Sequence, residues 1–312
     1  MKFFKPKFWD KKQISFYSII LFPISLLIQF LNFLKNITIK TKNCSIPVIC
    51  IGNIYLGGTG KTPLCIEVYN ILKELGKNSV FIRKKHNTYE DEKKLLEQVG
   101  SVYEDSNRIN ALKNATQNKF EIAIMDDGFQ DLSVKKDFSI VCFDGKQWIG
   151  NGLTIPSGPL REKLDALDRA DCIVVNGEKN STIQNKILEK KKSIKTFYTK
   201  YKAENITNFR NKKIICFAGI GNPENFFNLL KENEINISEQ IKFPDHYNYS
   251  KRELENLIRK AKENNAILLT TEKDYLRINE EYRKNINCLK VKAEIENKNE
   301  FIGQIKKLYE NH

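Results

Sequence analysis

Histidine is scarce in this chain: three residues, at positions 86, 246 and 312, exclude a histidine-rich metal centre. Cysteine occurs seven times (44, 50, 65, 142, 172, 216 and 288), always singly and never as C-x-x-C. The odd count and the apolar, mostly strand-like surroundings make poor zinc or disulfide frameworks. They predict buried, reduced thiols in a cytoplasmic protein. There is no internal repeat, no block of Lys and Arg interleaved with aromatics, and no nucleic-acid-binding signature. Charge itself is missing from Gln13 to Leu34.

What remains is a chain of 312 residues, 41% hydrophobic, with a formal net charge of +14. That length can bury a large core and predicts two domains. The lysines are scattered and accompanied by many Asn and Ile, so a generally basic surface is the plain reading. Attraction to an anionic membrane surface is the better functional one. No nucleic-acid partner is expected.

As a helix, the uncharged stretch reaches about 33 Å at ~1.5 Å per residue, against a bilayer core of about 30 Å. Yet Ser15, Ser18, Ser25, Gln29 and Asn32 fall within an arc of about 100° at helical periodicity. Such a stripe suits a helix whose polar side rests on its own protein or on headgroups. Lys2, Lys5, Lys7, Lys11 and Lys12 precede it, and Lys35, Lys40 and Lys42 follow. Basic flanks on both sides favour the same membrane face. The apolar run is too long for a signal peptide, and no small-residue cleavage site follows. The expectation is a cytoplasmic-side membrane anchor over residues 1–35, with a spanning helix second and a buried core helix third.

Next comes the apolar run Ile46–Ile51, then Gly57-Gly58-Thr59-Gly60-Lys61-Thr62, then a helical pattern from Pro63. Strand, glycine-rich turn, Lys-Thr and helix in this order make a nucleotide-phosphate cradle. Glycines let backbone N–H groups converge on phosphate oxygens, and the helix N-terminus adds partial positive charge. Lys61 can reach the outer phosphates and the Thr62 hydroxyl can ligate Mg²⁺. The usual G-x-x-x-x-G-K-[ST] pattern asks for glycine where this chain has Tyr55.

Further apolar runs read as strands at Ser79–Ile82, Glu121–Met125, Phe138–Phe143 and Cys172–Val175. Helical patterns cover Leu64–Leu75, Asp91–Val99 and Asn107–Thr116, and the alternation predicts a mostly parallel sheet. Lys179–Asn211 reads as a polar helix, a short strand (Thr196–Tyr198) and a linker. A second series follows: strand Lys213–Phe217, helix Glu224–Lys231, a loop at Phe243–Tyr249, helix Lys251–Asn264, strand Ala266–Thr270 and a last strand near Cys288–Val291. A boundary is expected near residue 205.

The strand at 121–125 ends in Asp126-Asp127, and phosphate-loop enzymes need an acid at a neighbouring strand end to hold Mg²⁺. Three other segments stay open on their own. Tyr89-Glu90-Asp91-Glu92 reads as an acidic helix start. Phe243-Pro244-Asp245-His246-Tyr247 reads as an ordinary loop with a surface histidine. Thr154–Leu167 carries Arg161 and Glu162 after a Pro/Gly turn, where anion contact and simple solvation are equally plausible.

Together these segments resemble the tetraacyldisaccharide 4'-kinases of lipid A biosynthesis. The resemblance runs from Ile51-Gly52-Asn53 and Gly57–Pro63 through Asp126-Asp127-Gly128-Phe129-Gln130, Ser157-Gly158-Pro159-Leu160-Arg161-Glu162 and Arg169-Ala170-Asp171. It continues with Val174-Val175-Asn176, Ala218-Gly219-Ile220-Gly221-Asn222-Pro223, Phe243–Tyr247 and Thr271-Glu272-Lys273-Asp274. That family also lacks the first glycine of the loop. The resemblance implies transfer of the ATP γ-phosphoryl group to the 4'-hydroxyl of a tetraacylated glucosamine disaccharide 1-phosphate. The reaction would lie on the cytoplasmic face of the inner membrane, with ATP and Mg²⁺.

On the same resemblance, Asp91 matches the general base and His246 the histidine that assists it. Gly57, Gly58, Thr59, Gly60, Lys61 and Thr62 match the nucleotide-binding residues, and Thr62, Asp126 and Asp127 the metal ligands. Arg108, Gln130, Arg161 and Glu162 match further active-site positions. Ile82-Arg83-Lys84-Lys85-His86 departs from the family's Ser-Arg-Gly-Tyr-Gly, and Asp131 stands where histidine is common. The implied fold is a P-loop NTPase-like α/β domain (36–205), a mostly parallel sheet with helices on both faces. A smaller α/β domain (206–312) closes over the active site, and the membrane-associated helix precedes both. The partners expected are the lipid disaccharide and an anionic inner-membrane surface, with the chain a monomer.

Two other nucleotide-binding classes fit less well. A partitioning ATPase places a lysine before the paired glycines, where this chain has Leu56. A GTPase should carry Asn-Lys-x-Asp, and Asn176-Gly177-Glu178-Lys179 lacks both Lys and Asp at the required places.

Overall fold

Continuous apolar strands joined by helical crossovers build a sheet that must be covered on both faces. The computed structural model describes residues 5–11, 13–85 and 90–310. Lys2, Lys12, His86, Tyr89 and His312 lie outside the described residues. The elements begin with α1 (Phe16–Thr38), β1 (Val48–Gly52), α2 (Lys61–Glu74), β2 (Ser79–Lys84), α3 (Glu90–Glu97), β3 (Val102–Asp105) and α4 (Arg108–Gln117). Then come β4 (Ile122–Asp126), β5 (Phe138–Asp144), β6 (Cys172–Asn176), α5 (Ser181–Lys190), β7 (Lys195–Ala203), β8 (Ile214–Ala218) and α6 (Pro223–Glu232). The rest are β9 (Ile237–Lys242), α7 (Lys251–Glu263), β10 (Ile267–Thr271), α8 (Glu272–Arg277), α9 (Glu280–Arg283), β11 (Asn287–Leu289), β12 (Val291–Ile295) and α10 (Lys298–Glu310).

Two sheets result. The larger has the order β12-β7-β6-β5-β1-β4-β2-β3 and the smaller β11-β10-β8-β9. From β3 to β7 the pairs are parallel, as are all pairs of the smaller sheet. β12 runs against β7, because Glu204 N–H bonds the Lys290 carbonyl while Glu296 N–H bonds that of Tyr198. Every residue of β1, β4, β5, β6 and β8 is buried, so both faces of these strands are covered. The edge strands β3 (VYED) and β9 (ISEQIK) are only partly buried, and their polar sequences suit an edge.

The chain divides into two compact units, and not at a single cut near residue 205. The larger takes residues 5–85, 100–200 and 293 onward; the smaller takes 90–99 and 201–292. Two features account for the difference. Helix α3, threaded between β2 and β3 in sequence, groups with the smaller unit. The expected last strand near Cys288–Val291 is two strands, β11 in the smaller sheet and β12 in the larger. Beyond it α10 belongs to the larger unit, burying Phe301 edge-on against Phe197 with ring centres 5.1 Å apart. Lys298 at its start pairs with Glu67 on α2.

α1 is long and apolar enough to cross a membrane, and it is not a core helix. Of its 23 residues only Ser18 and Ser25 are buried. Phe16, Phe22, Leu26, Phe30, Leu31 and Phe33 are among its many exposed large apolar side chains. Ser18, Ser25 and Gln29 of the polar stripe face the rest of the larger unit, while Asn32 is exposed. Ser25 Oγ lies 2.9 Å from Ser157 Oγ and donates to the Thr154 carbonyl at 3.0 Å. Gln29 Nε2 donates to Thr154 Oγ1 at 2.8 Å, and Asn151 Nδ2 to Ser18 Oγ at 3.1 Å.

Candidate active site

β1 lies between β4 and β5, with Ile51 in register with Asp126. The glycine-rich loop and the Asp126-Asp127 pair therefore leave the same end of adjacent strands, the crevice where open parallel sheets bind ligands. Gly52 starts the loop, and a Cβ there would meet Phe129 Cβ at 2.5 Å. Gly60 ends it with φ of +90°, a conformation that glycine adopts without strain, and caps α2. Asn53 is fully buried; its Nδ2 donates to the Tyr55 carbonyl at 2.6 Å and to Thr59 Oγ1 at 2.9 Å.

Tyr55 sits where standard phosphate loops carry glycine, and its ring is wholly buried in the core. Its hydroxyl donates to Asp10 Oδ1 and accepts from Lys5 Nζ, each at 2.7 Å. Burial and Asp10 push the phenol well above its usual range. The loop's remaining support comes from residues 159–161. Leu56 N–H donates to the Pro159 carbonyl at 2.8 Å, and Arg161 N–H to that of Ile54 at 2.7 Å.

Lys61 opens α2 and its Nζ lies 3.6 Å from Asp127 Oδ1. Arg161 Nη1 reaches both oxygens of Asp127, at 3.0 and 3.1 Å. Burial would raise the Asp127 carboxyl, but Lys61, Arg161 and Arg108 outweigh it and hold the group well below the usual carboxylate range. Asp127 itself has φ of +50°, uncommon for a non-glycine residue. Arg108 Nη2 braces that turn by donating to the Asp127 carbonyl at 2.8 Å, and its Nη1 pairs with Asp131 at 2.9 Å. Asp131 thus has a definite job as partner of Arg108. Gln130 Nε2 donates to the Asn53 carbonyl at 2.8 Å and to Glu162 Oε1 at 3.1 Å. Glu162 is also held by Arg169 at 2.7 Å.

Asp126 is 2% exposed and engaged inside the protein: Arg83 Nε lies 3.4 Å from its Oδ2 and the Cys65 thiol 3.6 Å from its Oδ1. Thr62 is also buried, at the start of α2. A hydroxyl and two carboxylates are the hard oxygen donors Mg²⁺ prefers, and the ion commonly takes only one or two carboxylates beside phosphate and water. Among the described residues no three His, Cys, Asp or Glu side chains gather into a cage. A metal here would draw its other ligands from phosphate and water.

The smaller unit holds a second cluster. Asp91 lies in the first turn of α3 with its side chain 1% exposed, and His246 Nδ1 faces its Oδ1 at 3.5 Å. Arg277 Nε donates to its Oδ2 at 3.1 Å. Burial would raise the Asp91 carboxyl; His246 and the charges of Arg277 and Lys273 outweigh it and hold it well below the usual range. His246 has φ of +53°, with its N–H held by the Gly219 carbonyl at 3.0 Å. Lys273 Nζ pairs with Glu92 at 2.7 Å.

The family model for tetraacyldisaccharide-1-P 4'-kinase (LpxK) matches residues 17–310 of this chain. The chain belongs to that family. A "Tetraacyldisaccharide 4'-kinase" of Pelagibacter ubique is 40% identical over 315 residues, covering 100% of both chains. One of Rickettsia bellii is 37% identical, covering 96% of this chain and 97% of its own. The solved structure of LpxK from Aquifex aeolicus, an "apo" form in complex with ATP, has a TM-score of 0.72 at 24% identity. It covers 94% of this chain and 99% of its own, so the kinase fold is shared along nearly the whole length.

Of the residues expected from this kinase family, the structure gathers Lys61, Asp127, Arg161, Gln130, Glu162 and Arg108 into one network and pairs Asp91 with His246 in another. Sequence reasoning gave no role to the supports: Asn53 and Arg169, which lie in segments shared with the kinases, Asp10 bonded to Tyr55, and above all Arg277. Only Thr271-Glu272-Lys273-Asp274 pointed to the last of these, as a segment shared with the kinases but without a role.

Proposed function

We propose that the chain transfers the γ-phosphoryl group of ATP to the 4'-hydroxyl of a tetraacylated glucosamine disaccharide 1-phosphate. The observation that carries this reading is Lys61, at the helix start after a glycine-rich loop, facing a carboxylate at the neighbouring strand end in a chain of this family. Phosphoryl transfer needs charge neutralisation and an aligned hydroxyl more than covalent help.

In this reading the loop from Gly57 to Gly60 cradles the nucleotide phosphates through its backbone N–H groups. Lys61 turns from Asp127 to the outer phosphates, and Arg161 is the second cation able to do so. Thr62, Asp126 and Asp127 would hold Mg²⁺, which supplies further neutralisation of phosphate oxygens when bound. Asp91 is charged at neutral pH and takes the sugar hydroxyl proton. His246, beside it, orients the carboxylate or shares that proton.

Helix α1 anchors the enzyme to the cytoplasmic face of an anionic inner membrane, where a monomer meets its lipid acceptor. Its exposed apolar face supports lipid contact, since each such side chain contributes about 1.5–3 kcal/mol when removed from water. Its hydroxyl-lined side, bonded to Thr154 and Ser157, favours lying at the interface over crossing. Transfer of ³²P from ATP to the lipid disaccharide in mixed micelles is the test. Nucleotide binding without transfer would leave a switch ATPase instead.

A further inference from the structure

A carboxylate that must take one particular proton needs a fixed plane, and His246, 3.5 Å from Oδ1, faces only one of its two oxygens. Arg277, the last residue of α8, reaches three places at once with its guanidinium. Its Nε donates to Asp91 Oδ2 at 3.1 Å. Its Nη1 donates to the Gly219 carbonyl at 2.9 Å and faces the Tyr247 carbonyl at 3.3 Å. Gly219 is the residue whose carbonyl holds the His246 N–H, and Tyr247 is the next residue along. One planar group thus gauges both Asp91 and the loop that carries His246.

The guanidinium is itself held. Asp274 Oδ1 lies 3.2 Å from Nη1, and Asp274 is fully buried. That carboxylate accepts from Gly219 N–H at 3.1 and 3.0 Å, and from the Tyr249 hydroxyl and Thr271 Oγ1 at 2.7 Å each. A lysine has no such rigid fork and could not meet these acceptors in one plane. Buried ion pairs are weak contributors to stability, since desolvation offsets attraction. Removing the arginine alone would leave the buried Asp91 and Asp274 carboxylates without it, so the charge-retaining lysine is the conservative variant.

We propose that Arg277 is the positioning residue of the Asp91 base, setting its distance and angle to His246. The proposal rests on the kinase reading above. The titratable groups around Asp91 are His246, Arg277 and Lys273, with Glu92 paired to Lys273 and Asp245 and Asp274 bordering the arginine. Removing Arg277 takes away a cation that favours the charged carboxylate, so the acid limb of turnover moves to higher pH.

The experiment compares the full-length wild type, Arg277→Gln, Arg277→Lys, Asp91→Asn and the double variant Asp91→Asn/Arg277→Gln, by ³²P transfer in mixed micelles across pH. Arg277→Gln should lower kcat by on the order of 10²-fold, within the range of general-base help, and leave KM for ATP within about 3-fold. Its acid limb should move up in pH, Arg277→Lys should recover part of the loss, and the double variant should be no worse than Asp91→Asn. Multiplied losses in the double variant, or a kcat loss with an unmoved acid limb, would overturn the proposal. If Arg277→Gln has no thermal transition, Arg277→Lys carries the test, since it keeps the charge but not the fork: a kcat loss that vanishes in the Asp91→Asn background supports the proposal, and an unchanged kcat or multiplied losses overturn it. A wild type that transfers nothing overturns the kinase reading instead.

Discussion

Asp127 and Asp91 are both ringed by cations, yet the side chain of the first is 36% exposed and that of the second 1%. Around Asp127 the partners are Lys61 and Arg161, long side chains on an open rim that can exchange a carboxylate for a phosphate. Around Asp91 they are an imidazole and a buried guanidinium, tied in turn to backbone carbonyls and Asp274. The open ring suits a ligand that arrives and leaves with every turnover. On the proposed reading, the closed ring suits a base held in one orientation. Each cluster carries one non-glycine residue in left-handed backbone, Asp127 at +50° and His246 at +53°. Strain of about 1–3 kcal/mol persists at such positions only where the surroundings over-determine it. Arg108 does this for Asp127, and the Gly219 carbonyl for His246.

The sharpest way to break this comparison is Asp91→Asn. Turnover should fall by roughly 10²–10⁴-fold while ATP affinity, read by titration with a fluorescent ATP analogue, stays put. Equal losses in both would remove Asp91 from the base role. Lys61→Gln should do what Asp91→Asn does not, lowering kcat/KM for ATP by roughly 10²–10³-fold and weakening ATP binding in the same titration.

Smaller effects separate the clusters by pH and salt. Both carboxylates are depressed below their ordinary value of 3.8. Their stabilising contribution is therefore complete above about pH 4 and is lost as pH falls below it. Salt should erode the contribution of half-open Asp127 and spare that of Asp91, because exposed pairs are screened and buried ones much less. Acid melts of Asp127→Asn and Asp91→Asn at low and high salt test this; equal salt sensitivity would erase the distinction. Last, Ser25→Ala should cost about 1–2 kcal/mol of stability through its lost buried hydrogen bonds, measured by thermal melting in detergent. Deleting residues 1–34 should weaken partitioning into anionic vesicles, and unchanged partitioning would sink the anchor.

Most of the larger sheet was legible because its strands are short, apolar and punctuated by glycine: β1, β4, β5 and β6 all lie within a residue or two of their sequence positions. β3 and β9 were missed because edge strands carry Glu, Asp, Ser and Lys where a buried strand would carry Val and Ile. The loop, Lys61 and Asp126-Asp127 were readable as local patterns. The grouping of α3 with the smaller unit was not. It depends on Asp91 meeting Arg277 and Glu92 meeting Lys273, pairs 186 and 181 residues apart in sequence. The family's loop also lacks the glycine that Tyr55 replaces, but no local pattern ties the Tyr55 hydroxyl to Asp10, 45 residues earlier.

The segment from Asn151 to Arg161 bonds α1 at one end and the nucleotide loop at the other. On the proposed kinase and membrane-anchor readings together, the phosphate donor would thereby be held at a set height above the lipid surface. Such an enzyme searches in two dimensions. Its rate should follow the mole fraction of acceptor in the surface, so diluting the acceptor with inert detergent should slow it at unchanged bulk concentration.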